Sequence, residues 1–131
     1  MKAIALRVVR TGFGKSDYES LRAWILSLPD VTEAPHRFGG TEFQVKGLEF
    51  MHSHGHAQLD IRLSKDDQAR VLNEGRALKH RFAPDAGWVT LIMRSYADVA
   101  GAKGIIELSY RHAEKTMLGI EAKRRTHSVR N

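Results

Sequence analysis

Cysteine is absent from the chain, and its absence excludes a disulfide framework, a thiolate metal site and a cysteine nucleophile together. Any metal would have to be held by His, Asp or Glu. No run of about 18 apolar residues is present for a membrane span. The apolar start Ala3-Ile4-Ala5-Leu6 is broken by Arg7 before a signal-peptide core could form, so a cytoplasmic protein is expected. There is no Gly-x-Ser-x-Gly elbow, phosphate-binding glycine-rich loop or dinucleotide fingerprint, and Arg10-Thr11-Gly12-Phe13-Gly14 lacks the flanking pattern that would make it one. No internal repeat or low-complexity segment stands out.

Acidic residues are also in short supply, 15 against 21 Lys and Arg, for a net charge of +6. The excess sits at the two ends. Residues 1–15 carry Lys2, Arg7, Arg10 and Lys15 with no acid, and residues 119–131 carry Lys123, Arg124, Arg125 and Arg130 against Glu121. The body between them is nearly neutral, which argues against a basic groove in the core. Contacts to nucleic acid are left to basic, flexible termini and would be strongly salt-dependent. At 131 residues and 42% hydrophobic content the chain fits one domain, with a compact core expected over about 16–117.

Ser16-Asp17-Tyr18-Glu19 reads as a capping box, and Leu21, Trp24, Ile25 and Leu28 follow at helical spacing until Pro29. Thr41 to Val45 alternates polar and apolar before a Lys46-Gly47 turn, predicting a hairpin with a return strand from Leu48 to about His54. A third strand is expected over Gln58–Leu63. Ser64 caps a short helix stopped by Gly75. Arg76–Phe82 reads as extended, Pro84–Gly87 as a turn and Trp88–Met93 as a strand, before a last helix capped by Ser95 or Asp98 and running to about Met117. The expected fold class is α+β: an antiparallel β-sheet meander covered on one face by N-terminal and C-terminal helices.

The most unusual feature is His52-Ser53-His54-Gly55-His56, followed by Asp60. A regular strand puts Phe50, His52, His54 and His56 on one face, because side chains repeat every two residues. Such residues lie roughly 6.5–7 Å apart per step, whereas zinc ligands converge at about 2 Å. A metal would thus take His52 and His54 comfortably, with His56 an awkward third ligand. Asp60 lies opposite Leu59, Ile61 and Leu63, so if Phe50 joins their core the histidines point inward and Asp60 points away. A bulge at Gly55 would change that phase. The reading favoured over a metal is a pocket in which His52 and His54, with Asp60, act as hydrogen-bonding or proton-transfer groups, the alternative being histidines that are only satisfied structurally or exposed at a loop. His80 and Trp88 flank the Pro84–Gly87 turn and could reach its rim. Tyr110 could present a hydroxyl, although its helical spacing with Ile106 also suits core packing.

The series His52-Ser53-His54-Gly55, Asp60, Gly75-Arg76-Ala77-Leu78-Lys79-His80, Gly87-Trp88-Val89 and Leu108-Ser109-Tyr110 resembles the small bacterial relatives of the luciferase-domain family, named for fungal luciferase. The frame of leading helix, Gly-Trp-Val strand and Ser-Tyr helix is also similar to the YjbR-like α+β fold, whose members are often presumed to bind DNA. The first resemblance implies an uncharacterised small-molecule-binding or cofactor-independent oxygenase-like domain acting on an aromatic or enolisable substrate, with His52, His54 and Asp60 catalytic and His80, Trp88 and Tyr110 contacting ligand. The second implies a nucleic-acid-binding or protein-interaction module.

Overall fold

The computed structural model describes residues 11–130. Lys2, Arg7 and Arg10 lie outside them. Three helices and six strands follow one another as α1 (Lys15–Ser27), β1 (Val31–Pro35), β2 (Thr41–Val45), β3 (Leu48–His54), β4 (Gln58–Arg62), α2 (Lys65–Asn73), β5 (Leu78–Lys79), β6 (Trp88–Ile92) and α3 (Val99–Arg130). The strands make one antiparallel sheet in the order β1-β2-β3-β4-β6-β5. The α+β class and the antiparallel meander are as the sequence predicts.

Helix α1 starts one residue before the Ser16 expected. Its N-cap is Gly14, whose N–H donates to Asp17 Oδ2 at 3.0 Å. Ser64 caps α2 through the Asp67 N–H at 3.1 Å, and Gly75 stops it in a left-handed conformation with φ 70°. Between residues 76 and 82 only Leu78–Lys79 is a strand. Strand β1 was not expected: Val31-Thr32-Glu33-Ala34-Pro35 has no alternation of apolar and polar residues and lies at a sheet edge. Helix α3 runs to Arg130 instead of stopping near Met117, so the basic segment after residue 118 is helical, with Lys123, Arg124 and Arg125 exposed. Among the described residues no helix is long and apolar enough to cross a membrane.

Helices α1 and α3 cover one face of the sheet. The core there is built from Leu21 and Ile25 of α1, Ile105 and Ile106 of α3, and Phe43, Met51, Leu59, Ile61 and Val89 from the sheet. Two buried hydroxyls tie the layers together: Tyr18 of α1 to Ser53 at 2.8 Å, and Ser109 of α3, whose Oγ lies 2.8 Å from the Phe50 carbonyl and 2.5 Å from that of Arg62.

The phase of β3 decides what faces the other way. Phe43 pairs with Met51 and Gln44 with Glu49, so Phe50 is an extra residue with no partner on β2. This bulge lets the consecutive Phe50 and Met51 both bury. From Met51 onward the odd residues join the core, and His52 and His54 face away from the helices. His52 then pairs directly with Asp60, and Asp60 with Thr90. The expectation that Phe50 shares a face with His52, His54 and His56, and that Asp60 points away from them, is therefore corrected. The phase changes at Phe50 rather than at Gly55.

Candidate functional site

One row across the sheet, on the face away from α1 and α3, runs Glu42, His52, Asp60, Thr90. His52 is its centre and is buried. Its Nδ1 lies 2.8 Å from Glu49 Oε2 and its Nε2 lies 3.1 Å from Asp60 Oδ2, so both ring nitrogens donate and the ring is an imidazolium. Burial alone would lower its pKa. The hydrogen bonds to Asp60 and Glu49 outweigh that and push it up to about 9.

Asp60 collects donors. Its Oδ1 accepts from Thr90 Oγ1 at 2.7 Å, and its Oδ2 lies 3.1 Å from His52 Nε2, 3.2 Å from His54 Nε2 and 3.6 Å from His80 Nε2. Burial would raise this carboxyl, but the bonds from His52 and Thr90 hold it below its ordinary value of 3.8. His54 shifts downward, because burial and the positive His52 nearby together outweigh the pull of Asp60. With 34% of its side chain exposed, His54 is the most accessible of the three imidazoles around Asp60, and its Nδ1 has no hydrogen-bond partner among the described residues.

The rings form a continuous aromatic surface. His36 stacks on His52 with centroids 4.0 Å apart, His52 meets Trp88 at 5.1 Å, and Trp88 meets His80 at 6.0 Å. Thus His52, His54, Asp60, His80 and Trp88, all expected at the site, come together. His56 does not: it is exposed in the β3–β4 turn beside Tyr18, at 5.6 Å. Tyr110 is placed elsewhere too. It packs edge-on to Phe50 on the helix-covered side, and its hydroxyl donates to the Pro29 carbonyl at 2.8 Å.

Three members of the cluster were not anticipated: His36, Glu49 and Thr90. Glu49 Oε2 bridges His52 to His36 Nε2, the latter at 3.5 Å. Glu49 precedes the bulge at Phe50, which is why a strict two-residue period does not place it with His52. A signal for His36 was available. His36-Arg37-Phe38 repeats as His80-Arg81-Phe82, a repetition of three residues, too short to stand out as an internal repeat.

Two groups could offer three ligand atoms to one ion: His36, Glu49 and His52, and His52, Asp60 and His80. Their hydrogen bonds fit an ion poorly. His36 Nδ1 accepts the Phe38 N–H at 3.2 Å, and His80 Nδ1 accepts those of Phe82 and Ala83 at 3.1 and 2.9 Å. A ring whose Nδ1 accepts carries its proton on Nε2, and in both cases Nε2 is the atom aimed at the carboxylate. His52, shared by both groups, donates from both nitrogens.

Fold and site define a small α+β domain with a histidine–carboxylate network on the face of an antiparallel sheet away from its helices. Residues 47–109 match the family model described as Luciferase domain, so the resemblance drawn from the His-x-His-Gly segment through Gly-Trp-Val to Leu108-Ser109 holds. None of the curated proteins matches the chain.

Proposed function

We propose that the chain is a small-molecule-binding, cofactor-independent oxygenase-like domain in which His54, oriented by Asp60, takes a proton from an enolisable aromatic substrate. The observation that carries this reading is the placement of His54: Nε2 is 3.2 Å from a buried carboxylate, while a third of the side chain is exposed. A carboxylate on one side of an imidazole fixes its tautomer and supports the positive charge it gains, leaving the other nitrogen as the base. The lowered pKa keeps His54 neutral, and so competent as a base, near neutral pH. His52, a cation near neutral pH with its ring 4.8 Å from that of His54, favours the enolate left behind. An enolate is the electron-rich form that can pass an electron to molecular oxygen.

The test is proton exchange at the ring carbon between the two oxygenated carbons of 4-hydroxy-6-methyl-2-pyrone, followed by proton NMR in deuterated water. The protein is expected to accelerate exchange, and His54→Ala to remove on the order of 10²–10⁴ of that acceleration. The wild-type rate should rise with pH through a value below 6.5 as His54 loses its proton, and decline again as His52 discharges near 9. Equal acceleration by wild type and His54→Ala would refute the role given to His54.

A further inference from the structure

We propose that the two His-Arg-Phe loops are covers over the centre of the network that acid releases, each held down by a histidine that stays in place only while it is uncharged. The proposal rests on the reading of this face as the functional site and adds its regulation, and it does not need His54 to act as a base. His36-Arg37-Phe38 lies in the β1–β2 connection and His80-Arg81-Phe82 in the β5–β6 connection. In both, the histidine is the side chain that turns inward: 8% of the His36 side chain is exposed and 12% of that of His80. Arg37 and Arg81 are exposed, and Phe38 and Phe82 stand 74% and 83% in solvent. The imidazole is therefore the anchor of each tripeptide.

Each anchor uses both ring nitrogens. Nδ1 accepts from the histidine's own loop: His36 from the Phe38 N–H at 3.2 Å, His80 from the Phe82 and Ala83 N–H groups at 3.1 and 2.9 Å. Nε2 carries the ring proton and points at a carboxylate that His52 also uses, Glu49 at 3.5 Å for His36 and Asp60 at 3.6 Å for His80. A second proton can go only on Nδ1. There it meets backbone N–H groups, one in the first loop and two in the second, and donor faces donor away from water. The closed loop and the charged ring exclude one another.

The surrounding charges point the same way. His36 stacks on His52 with centroids 4.0 Å apart and planes at 23°, and the ring of His54 lies 6.1 Å from it. His52 is already a cation near neutral pH, so a charge on His36 sets two like charges face to face. Glu49 attracts that charge but is bonded to His52 at 2.8 Å, and Glu42, beside His52 in the row, is bonded to Gln44 at 2.6 Å. The carboxylate facing His80 is Asp60, whose oxygens serve Thr90, His52 and His54. A histidine changes charge between about pH 5 and 8, so falling pH trades an anchor for a repelled cation in both loops. Fixed points remain: the His36 N–H on the Gly40 carbonyl at 3.0 Å, the Leu63 N–H on that of Gly87 at 2.9 Å, and the Gln68 amide on that of Pro84 at 2.6 Å. The motion is thus the swing of an imidazole with the residues just after it. Neutral pH gives a covered centre with His54 as the accessible base, and acid gives an open one with His52 and Trp88 uncovered.

Acrylamide quenching of Trp88 fluorescence reads the opening, in a Trp24→Phe chain that leaves Trp88 as the single tryptophan. The quenching constant should rise about threefold from pH 8 to pH 5 and return when the pH is restored. His36→Asn/His80→Asn in the same chain should hold it flat, because an asparagine carbonyl accepts the N–H two residues on and takes no proton. In the unsubstituted chain, proton–nitrogen NMR should show the His36 ring and the Phe38 amide moving with one midpoint, and the His80 ring with the Phe82 and Ala83 amides moving with another. A quenching constant indifferent to pH, an equal rise in the asparagine variant, or amides that stay put while the rings titrate would overturn the proposal. So would a rise that comes with loss of far-UV circular dichroism, which is acid unfolding. Quenching needs no substrate, so opening without pyrone exchange keeps the covers and removes the base, and exchange without opening does the reverse.

Discussion

Replacing Asp60 by Asn changes almost no volume and tests the centre of the network. The side chain is 4% exposed, so what replaces its charge cannot be solvated. The amide oxygen can keep the Thr90 hydroxyl bond at 2.7 Å, but an amide N–H₂ then takes the place of Oδ2. That group meets the Nε2 atoms of His52, His54 and His80 at 3.1, 3.2 and 3.6 Å, and donor faces donor at His52. With Glu49 as its remaining carboxylate, His52 should titrate roughly 1–2 units below its value of about 9. Raised from an unfolded value near 6.5 to about 9, His52 contributes about 3 kcal/mol to folding. Losing about half of that, with the unsatisfied donors adding roughly 1–3 kcal/mol, gives a total loss of about 3 kcal/mol at pH 7, comparable with the roughly 3–5 kcal/mol typical of a broken buried pair. The pH dependence has a definite sign. Because the folded pKa of His52 is raised, its contribution is complete below about 6.5 and is lost as pH rises through about 9. Because that of Asp60 is lowered, its contribution is present above about 3.8 and is lost as pH falls below it. Urea unfolding of both proteins at pH 4, 7 and 10, with NMR titration of the His52 ring proton, measures each part. A loss under about 1 kcal/mol at pH 7, with the His52 midpoint still near 9 in Asp60→Asn, would refute the account.

Gly40→Ala and Gly87→Ala each put a methyl within about 2 Å of a backbone carbonyl at positive φ, that of Ser53 in β3 and that of Leu63 just after β4, and chemical unfolding should show each destabilised by roughly 1–3 kcal/mol or more. Ser109→Ala removes the buried hydroxyl that links α3 to the Phe50 and Arg62 carbonyls, for an expected cost of roughly 1–2 kcal/mol in the same assay, while pyrone exchange per folded molecule stays at the wild-type level.

How much of this was legible in the sequence depends on how local each signal is. Ser64 with Asp67, Gly75 after α2, and the Lys46-Gly47 hairpin with φ 52° and 85° act within four residues of themselves, and all three could be read in place. Strand β1 could not. An edge strand exposed along part of its length needs no alternation, and Val31–Pro35 shows none. The far end of α3 escaped for the opposite reason: beyond Met117 the apolar period fades, but Glu121, Ala122, Lys123, Arg124 and Arg125 are good helix formers with no breaker among them, and most of that segment is exposed.

The site shows the same division at higher stakes. The cluster of His52, His54 and Asp60 was visible as residues, but which way it faced was not, because one unpaired residue in β3 decides it. Without the bulge at Phe50 the two-residue period would turn His52 toward Leu59 and Ile61, burying a cation among aliphatic side chains with Asp60 on the far face. Bulge and core support one another: Phe50 and Met51 both gain burial, and the phase change sets His52 directly across from Asp60. The sheet therefore places a charged, hydrogen-bonded centre on the face opposite its apolar core. The two His-Arg-Phe loops, coming from strands at the two edges, complete that centre with His36 and His80. Neither loop announces itself as a partner of a histidine cluster 16 or 28 residues away, by the distances from His36 and from His80 to His52; only their shared tripeptide hints that the same contact is made twice.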